Sequence, residues 1–214
     1  MTTPELTIVD IGTAPAQWPA AQLLARALQA HLNSVGCPVE SFQAFEDEVA
    51  ALPGKYAPGL QGCLFLLCDA RREPATVIGM AALRQHALKE AEVKRMIVLP
   101  AARGCCGGLH LMAALAARAQ DLGYTSLVLD SLERLPHAVA LYERCGFQHC
   151  EPYCFNPMPD AVYMRGQVKD VLKCCHEQLH SAATAVREPA PDEPALPIAH
   201  DDWLATVGLQ PASA

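Results

Sequence analysis

The chain lacks any apolar run of the roughly 18 residues that a membrane span needs. Its longest, Cys63-Leu64-Phe65-Leu66-Leu67-Cys68, has the length of a buried strand, so no membrane partner is expected. Met1 to Glu5 carry neither a basic start nor a hydrophobic stretch, so no secretory signal is read and a cytoplasmic location is expected. Basic residues are few: 16 Lys and Arg stand against 23 Asp and Glu, a net charge of −7. That balance argues against nucleic acid, whose affinity rests on cations facing phosphates. None of the ten cysteines (Cys37, Cys63, Cys68, Cys105, Cys106, Cys145, Cys150, Cys154, Cys174 and Cys175) belongs to a Cys-x-x-Cys pair. Without an export signal they are expected to be reduced thiols. The one compact Cys/His cluster, Cys174-Cys175-His176 with His180, has no second ligand pair nearby and reads as a Cys-rich helix, so no metal is expected. There are no internal repeats.

What is present suffices for a folded core. With 214 residues, 51% hydrophobic and 18% charged, the composition fits one globular domain, or one domain plus an appendage. Leu6–Ile11 reads as a strand. Pro15 to Leu32 and Phe42 to Leu52 carry apolar residues at helical spacing, stopped by Gly36 and by Pro53-Gly54. Cys63–Cys68, Ala75–Leu83 and Glu92–Leu99 read as three strands of an antiparallel meander. Gly108 to Leu122 is an amphipathic helix with Leu111, Met112, Leu115, Ala116 and Ala119 on one face, closed by Gly123. Thr125–Asp130 then returns as a strand, a crossover that makes it parallel to the strand before the helix. Pro136 opens a short helix that runs to Cys145 and is closed by Gly146. Gln148–Glu151 and Ala161–Met164 are the last strands. Gln167 to about Val186 patterns as a further amphipathic helix. Glu188 to Ala199 is Pro-rich and acidic, a flexible tail, and His200 to Leu209 is a short apolar patch within it.

The densest chemistry lies between the meander and the crossover. After Pro100, Arg103-Gly104-Cys105-Cys106-Gly107-Gly108 forms a glycine-bearing loop that runs into a helix. Such a loop presents consecutive backbone N–H groups at the positive end of a helix dipole, a phosphate site in waiting. No Lys-Ser or Lys-Thr follows the glycines, which excludes a P-loop nucleotidase.

This loop resembles the Q/R-x-x-G-x-G/A acyl-CoA loop of the GNAT superfamily of N-acetyltransferases. Leu141-Tyr142-Glu143-Arg144-Cys145-Gly146-Phe147 is similar to that family's later L-Y-x-x-x-G-F signature. The resemblance covers roughly residues 5 to 165. It implies an α/β fold: a central mixed, mostly antiparallel sheet with one parallel crossover pair, flanked by helices. A C-terminal helix (166–187) and an acidic tail (188–214) would follow the domain at 5–165. It also implies an acetyl-CoA co-substrate, with diphosphate on the N–H groups of Arg103, Gly104, Cys105, Cys106, Gly107 and Gly108, and pantetheine along the main chain of Met96, Ile97 and Val98. The implied reaction is direct attack of an acceptor's primary amine on the thioester. Tyr142 matches the family tyrosine that protonates the departing sulfur; its other reading is a helix tyrosine packed on the sheet. Glu92 matches a strand glutamate that acts as general base, usually through water; its other reading is an exposed residue at a strand start.

Cys106 departs from the pattern, standing where the family usually has glycine. A small thiol is tolerated there if the backbone is helical; otherwise affinity for CoA falls. Its place at a helix N-terminus also makes Cys105 or Cys106 a candidate redox-sensitive thiol. Lys94 and Arg95 are expected to alternate, one toward the acceptor groove and one toward solvent. Tyr56, Tyr153 and Asn156 are candidates for shaping the acceptor pocket, His137 sits near the emerging CoA, and His110 is expected on a helix surface. The resemblance implies a small-molecule or peptide amine as acceptor, with small polyamine, amino acid, aminoglycoside and protein N-terminus all open; the negative net charge favours a cationic small molecule. A homodimer is left open. A second reading keeps the fold and drops catalysis, giving an acyl-CoA-binding or regulatory module.

Overall fold

The computed structural model describes residues 5–12, 15–38, 44–71 and 75–184. Phe42, the tail at 188–214 and its apolar patch lie outside the described residues. Seven strands form one sheet: β1 (Leu6–Asp10), β2 (Cys63–Asp69), β3 (Thr76–Ala87), β4 (Glu90–Val98), β5 (Ser126–Leu132), β6 (Gln148–His149) and β7 (Ala161–Gln167). Their order is β1-β2-β3-β4-β5-β7-β6, and among the described residues β4–β5 is the single parallel pair beside antiparallel neighbours. The helices are α1 (Trp18–Ser34), α2 (Phe45–Ala50), α3 (Gly107–Asp121), α4 (Pro136–Arg144) and α5 (Val168–Thr184). The meander, the crossover through α3 and the mixed sheet are those expected from the sequence.

Period-two alternation sorts the strands between two hydrophobic clusters. Phe65 and Leu67 of β2 face α3 and α5, whereas Leu64, Leu66 and Cys68 face α1 and α2. Burial on both faces explains why this strand is an unbroken apolar run. Leu111, Met112, Leu115, Ala116 and Ala119 of α3 are fully buried against the sheet, each leucine contributing about 1.5–3 kcal/mol by leaving water. Gly123 (φ +78°) and Gly146 (φ +90°) follow α3 and α4 in the left-handed conformation that ends helices without a Cβ penalty. Residue 165 falls inside β7, and Val168, Val171 and Cys175 of α5 are buried in the α3 cluster.

The sheet opens where the site lies. The β4–β5 pairing runs only through Glu90↔Ser126, Ala91↔Leu127 and Glu92↔Val128, although β4 continues to Val98 and β5 to Leu132. Just beyond this point β4 carries a bulge. Ala82 pairs with Lys94 and Met80 with Ile97, so Arg95 and Met96 together oppose Ala81, and Arg95 adopts φ +55°. An extra residue inverts the phase of everything after it. Ala91, Val93, Met96 and Val98 therefore face α3, while Ile97 faces the α1 side. Lys94 and Arg95 share that second face and are both largely buried among carboxylates. The expected alternation, with one of them in solvent, is thus incorrect: the bulge cancels the strand period at this step.

Candidate active site

Between the diverging strands lies a cleft of about 840 Å³. Its walls are Val93 to Val98 of β4, Leu129 to Leu132 of β5, the loop before α3, the first turns of α4, and Leu28, Leu32 and Val35 from α1 and its end. Because β5 leaves β4 after Glu92, the β4 edge from Val93 to Val98 has no strand partner on the cleft side. Met96, Ile97 and Val98 lie on this edge, where main-chain groups are open to a ligand. Nothing in their apolar side chains hinders that use.

At one end of the cleft is the glycine-bearing loop. A single turn of 3-10 helix, Pro100–Ala102, takes the N–H of Arg103, which donates to the Pro100 carbonyl. The first bond of α3 runs from the His110 N–H to the Cys106 carbonyl. Among the described residues, the six N–H groups of Gly104, Cys105, Cys106, Gly107, Gly108 and Leu109 donate to no protein acceptor, and no side chain caps the helix. Orphan donors at a helix N-terminus are what an anionic ligand satisfies. Arg103 and Arg144 also line the cleft and have no carboxylate partner among the described residues. His137 lines it as well, while His110 is half-buried on α3 rather than on its outer surface.

Cys106 is not in helical backbone. It sits at φ +61°, ψ +16°, as the residue immediately preceding α3. The expectation that a helical conformation would excuse the thiol therefore fails; this is the left-handed region that favours glycine. Gly107 and Gly108 have a packing reason as well. A Cβ on Gly107 would lie 2.6 Å from Leu67 Cδ2, and one on Gly108 would lie 2.7 Å from Leu141 Cδ2. The thiol of Cys105 donates to the Ala102 carbonyl.

Tyr142 enters from the other wall. Pro136 at the first position of α4 sets the helix going, and Tyr142 is buried six residues on, with its ring edge-on to Phe147 at 6.2 Å between centroids. Its phenol lines the cleft and has no hydrogen-bond partner among the described residues. Burial, followed by the nearby Asp130 and Cys145, pushes the phenol well above its usual range, so it keeps its proton at neutral pH.

The sheet face past the bulge is polar. Glu92 is fully buried in the middle of β4 and paired across the ladder with Arg84, so its reading as an exposed residue at a strand start is excluded. Arg84 Nε donates to Glu92 Oε2 at 2.5 Å. Lys94 Nζ lies 3.1 Å from Oε1, and the Tyr153 hydroxyl donates to Oε1 at 3.3 Å. Lys94 also donates to Asp130 Oδ1 at 2.9 Å, and Asn156 donates to Asp130 Oδ2 at 2.9 Å. Burial alone would raise the Asp130 carboxyl, but Lys94 and Asn156 bring it below the ordinary carboxylate range. Glu92, Asp130 and Cys154 bring their ligand atoms within 4.8 Å of one another, yet Lys94 already bridges the two carboxylates with its ammonium. Cys154 is pushed up to about 11 by burial and then by Asp130, so it stays a neutral thiol rather than a nucleophile.

A second cluster adjoins this one. Arg95 Nε and Nη2 donate to Glu48 at 2.5 and 2.9 Å, the Tyr56 hydroxyl donates to Glu48 at 2.7 Å, and Lys55 pairs with the same carboxylate. The Arg95 guanidinium also lies over the Phe45 ring. Burial would raise Glu48, but Arg95 above all, with Lys55 and Tyr56, holds it down at about 2. Glu48, Arg84 and Asp130 escaped the sequence reading. Asp130 had a signal, a carboxylate ending a leucine-rich strand on the crossover. Arg84 had a weaker one, a charge directly following the apolar run Met80-Ala81-Ala82-Leu83. Glu48 had none, because its partner lies 47 residues away.

Comparison with known proteins agrees with this architecture. Residues 39–147 match the Acetyltransferase (GNAT) family. An uncharacterized N-acetyltransferase of Schizosaccharomyces pombe is 37% identical over 139 residues, covering 64% of this chain and 82% of the relative. An acyl-CoA N-acyltransferase structure from Klebsiella pneumoniae aligns with a TM-score of 0.57 at 25% identity, covering 77% of this chain and 98% of that one. An acetyltransferase of Salmonella typhimurium, solved with its cofactor acetyl-CoA, aligns with a TM-score of 0.55 at 16% identity, covering 88% and 98% of the two chains. The mixed sheet parted at its parallel pair is thus an acyltransferase architecture by family match and by relatives. The chain belongs to the GNAT family of N-acyltransferases.

Proposed function

We propose that the chain transfers an acetyl group from acetyl-CoA to a primary amine, with the co-substrate in the cleft between β4 and β5. The observation that carries this is the row of six N–H groups, Gly104 to Leu109, at one end of a cleft whose other wall holds the Tyr142 hydroxyl, all without a partner among the described residues. The residues fit the co-substrate: orphan donors with Arg103 and Arg144 suit its phosphates, the open β4 edge at Met96, Ile97 and Val98 suits an amide-bearing arm, and Leu28, Leu32 and Val35 give apolar cover. The Salmonella relative, solved with acetyl-CoA, supports the same choice of ligand. Bound acetyl-CoA supplies an activated thioester.

The chain's own groups then have three tasks. The cradle and the β4 edge fix the thioester beside α4. Tyr142 donates its proton to the departing sulfur. Glu92 takes the proton of the attacking amine through a water, with Arg84, Lys94 and Tyr153 holding its carboxylate in place. The test is amine-dependent release of free thiol from acetyl-CoA by the purified full chain. Release across an amine panel supports transfer; saturable acetyl-CoA binding with no release from any amine favours the binding-module reading instead.

Two further outcomes are expected. Cys106→Gly removes a side chain from left-handed backbone, a strain of about 1–2 kcal/mol. The melting temperature should rise by about 2–4 °C for each kcal/mol recovered in a chain of this size, and calorimetry should show tighter acetyl-CoA binding. An unchanged melting temperature and affinity would mean that the loop holds the thiol at no cost. Glu92→Gln should lower kcat for thiol release, with little effect on acetyl-CoA affinity. Retention of full kcat would remove Glu92 from the proposed role.

A further inference from the structure

The ladder between β4 and β5 ends at Glu92↔Val128, so beyond that point other contacts must set the width of the cleft. Near the narrow end Lys94 Nζ donates across the gap to Asp130 Oδ1 at 2.9 Å. Farther out the span is made by Arg134, in the loop between β5 and α4.

Arg134 reaches across to the end of α1, the helix that packs against β3 and β4. Its Nη1 donates to the Val35 carbonyl at 3.0 Å and to the Gly36 carbonyl at 3.4 Å. Both oxygens lie at the negative end of α1, whose last turn has no Lys or Arg of its own. Gly36 stands at φ +79°, and a Cβ there would lie 3.2 Å from Nη1, so glycine leaves room for the guanidinium. The rest of the fork is occupied as well. Nε donates to Asp160 Oδ2 at 2.6 Å, and Nη2 pairs with Oδ1, a bidentate grip that fixes the plane of the guanidinium. The same contact holds the Asp160 carboxyl down at about 2, so the pair stays charged at neutral pH. The Glu133 N–H donates to the Asp160 carbonyl at 2.9 Å and ties that residue to the same loop.

One guanidinium thus joins the end of α1, the β5–α4 loop and the loop before β7. Leu132 and Leu135 also join the hydrophobic cluster under α1. Such apolar contact is non-directional and tolerates sliding. The directional contacts come from Arg134, and Leu32, Val35 and Arg134 all line the cleft.

We propose that Arg134 is a positioning residue, a crossbar that holds the α1 wall at a fixed distance from β5 and so shapes the cleft for its co-substrate. This rests on the acetyl-CoA reading above. Without the crossbar the α1 wall samples other positions, and apparent affinity falls by the fraction of chains whose cleft is competent. Tyr142 and Glu92 are untouched, so the loss is in binding rather than in chemistry.

The test is calorimetric titration of acetyl-CoA into the full chain, with steady-state kinetics and backbone hydrogen exchange on the same variants. Arg134→Gln should weaken acetyl-CoA binding and raise its KM by about tenfold, with kcat within about twofold of the wild type. Arg134→Lys keeps the charge but cannot hold the carboxylate and the carbonyls together, so it should stay weakened. Full rescue by lysine would reduce Arg134 to a charge and overturn the crossbar. Asp160→Ala separates the crossbar from a direct phosphate contact by sign. Loss of the grip should weaken acetyl-CoA, whereas a phosphate-binding Arg134 freed from its carboxylate would bind it more tightly and overturn the inference. The N–H groups of Val35, Gly36 and Cys37, bonded to His31, Asn33 and Leu32 carbonyls, report on the end of α1 without any ligand. Their exchange should quicken by about tenfold in Arg134→Gln. If the wild type binds no acetyl-CoA, the reading above fails, and exchange still decides the crossbar: faster exchange upholds it, and unchanged exchange overturns it.

Discussion

Tyr142→Phe should lower kcat for amine-dependent thiol release by about 10²–10³, the range lost with a positioned general acid. The hydroxyl has no partner among the described residues, so removing it leaves no orphaned group, and the phenylalanine ring keeps the edge contact with Phe147. The melting temperature and acetyl-CoA affinity should therefore stay near those of the wild type. Because burial raises the phenol, the wild-type donor is neutral throughout the physiological range, so the defect should persist at every pH from 6 to about 9. A variant with full kcat would make Tyr142 a packing residue. Equal losses of stability and rate would indicate the same.

Glu48→Gln should be the most destabilising single change near the site, costing about 3–5 kcal/mol, because it removes the carboxylate on which the buried Arg95 guanidinium rests. Denaturant unfolding measures it. The double variant Glu48→Gln/Arg95→Met should recover most of the loss, since the uncompensated charge is then gone as well. The pH dependence follows from the direction of the shift. Glu48 titrates at about 2 when folded, below its ordinary value of 4.5, so its contribution is complete above that ordinary value and is lost as pH falls toward 2. The shift corresponds to about 3 kcal/mol, so the wild type should lose roughly that much between about pH 5 and 2 beyond what Glu48→Gln loses. Parallel acid-unfolding curves for the two proteins would mean that Arg95 does not depress Glu48.

Much of the fold was legible because periodicity is local. The α3 stripe at Leu111, Met112 and Leu115, the meander from Cys63 to Leu99 and the glycine stops at Gly123 and Gly146 each depend on residues a few positions apart. The glycine-bearing loop was legible for the same reason, being contiguous from Arg103 to Gly108. The bulge was not. Nothing in Lys94-Arg95-Met96 announces the extra residue, and it decided where both cations point. The polar cluster past the bulge was illegible because its pairs are long-range: Glu48 with Arg95, Lys94 with Asp130, and Tyr153 with Glu92 join α2, β4, β5 and the loop before β7.

The central claim is that the cleft between β4 and β5 binds acetyl-CoA and delivers its acetyl group to an amine. Calorimetric titration of acetyl-CoA into the full-length protein, followed in the same sample by addition of the acceptor panel with thiol detection, tests it most directly. The account predicts saturable binding to one site per chain, weakened when a bulky residue replaces Gly107 beside Leu67, and thiol release only once an amine is present. No heat of binding at millimolar acetyl-CoA, together with no thiol release from any amine, would contradict it.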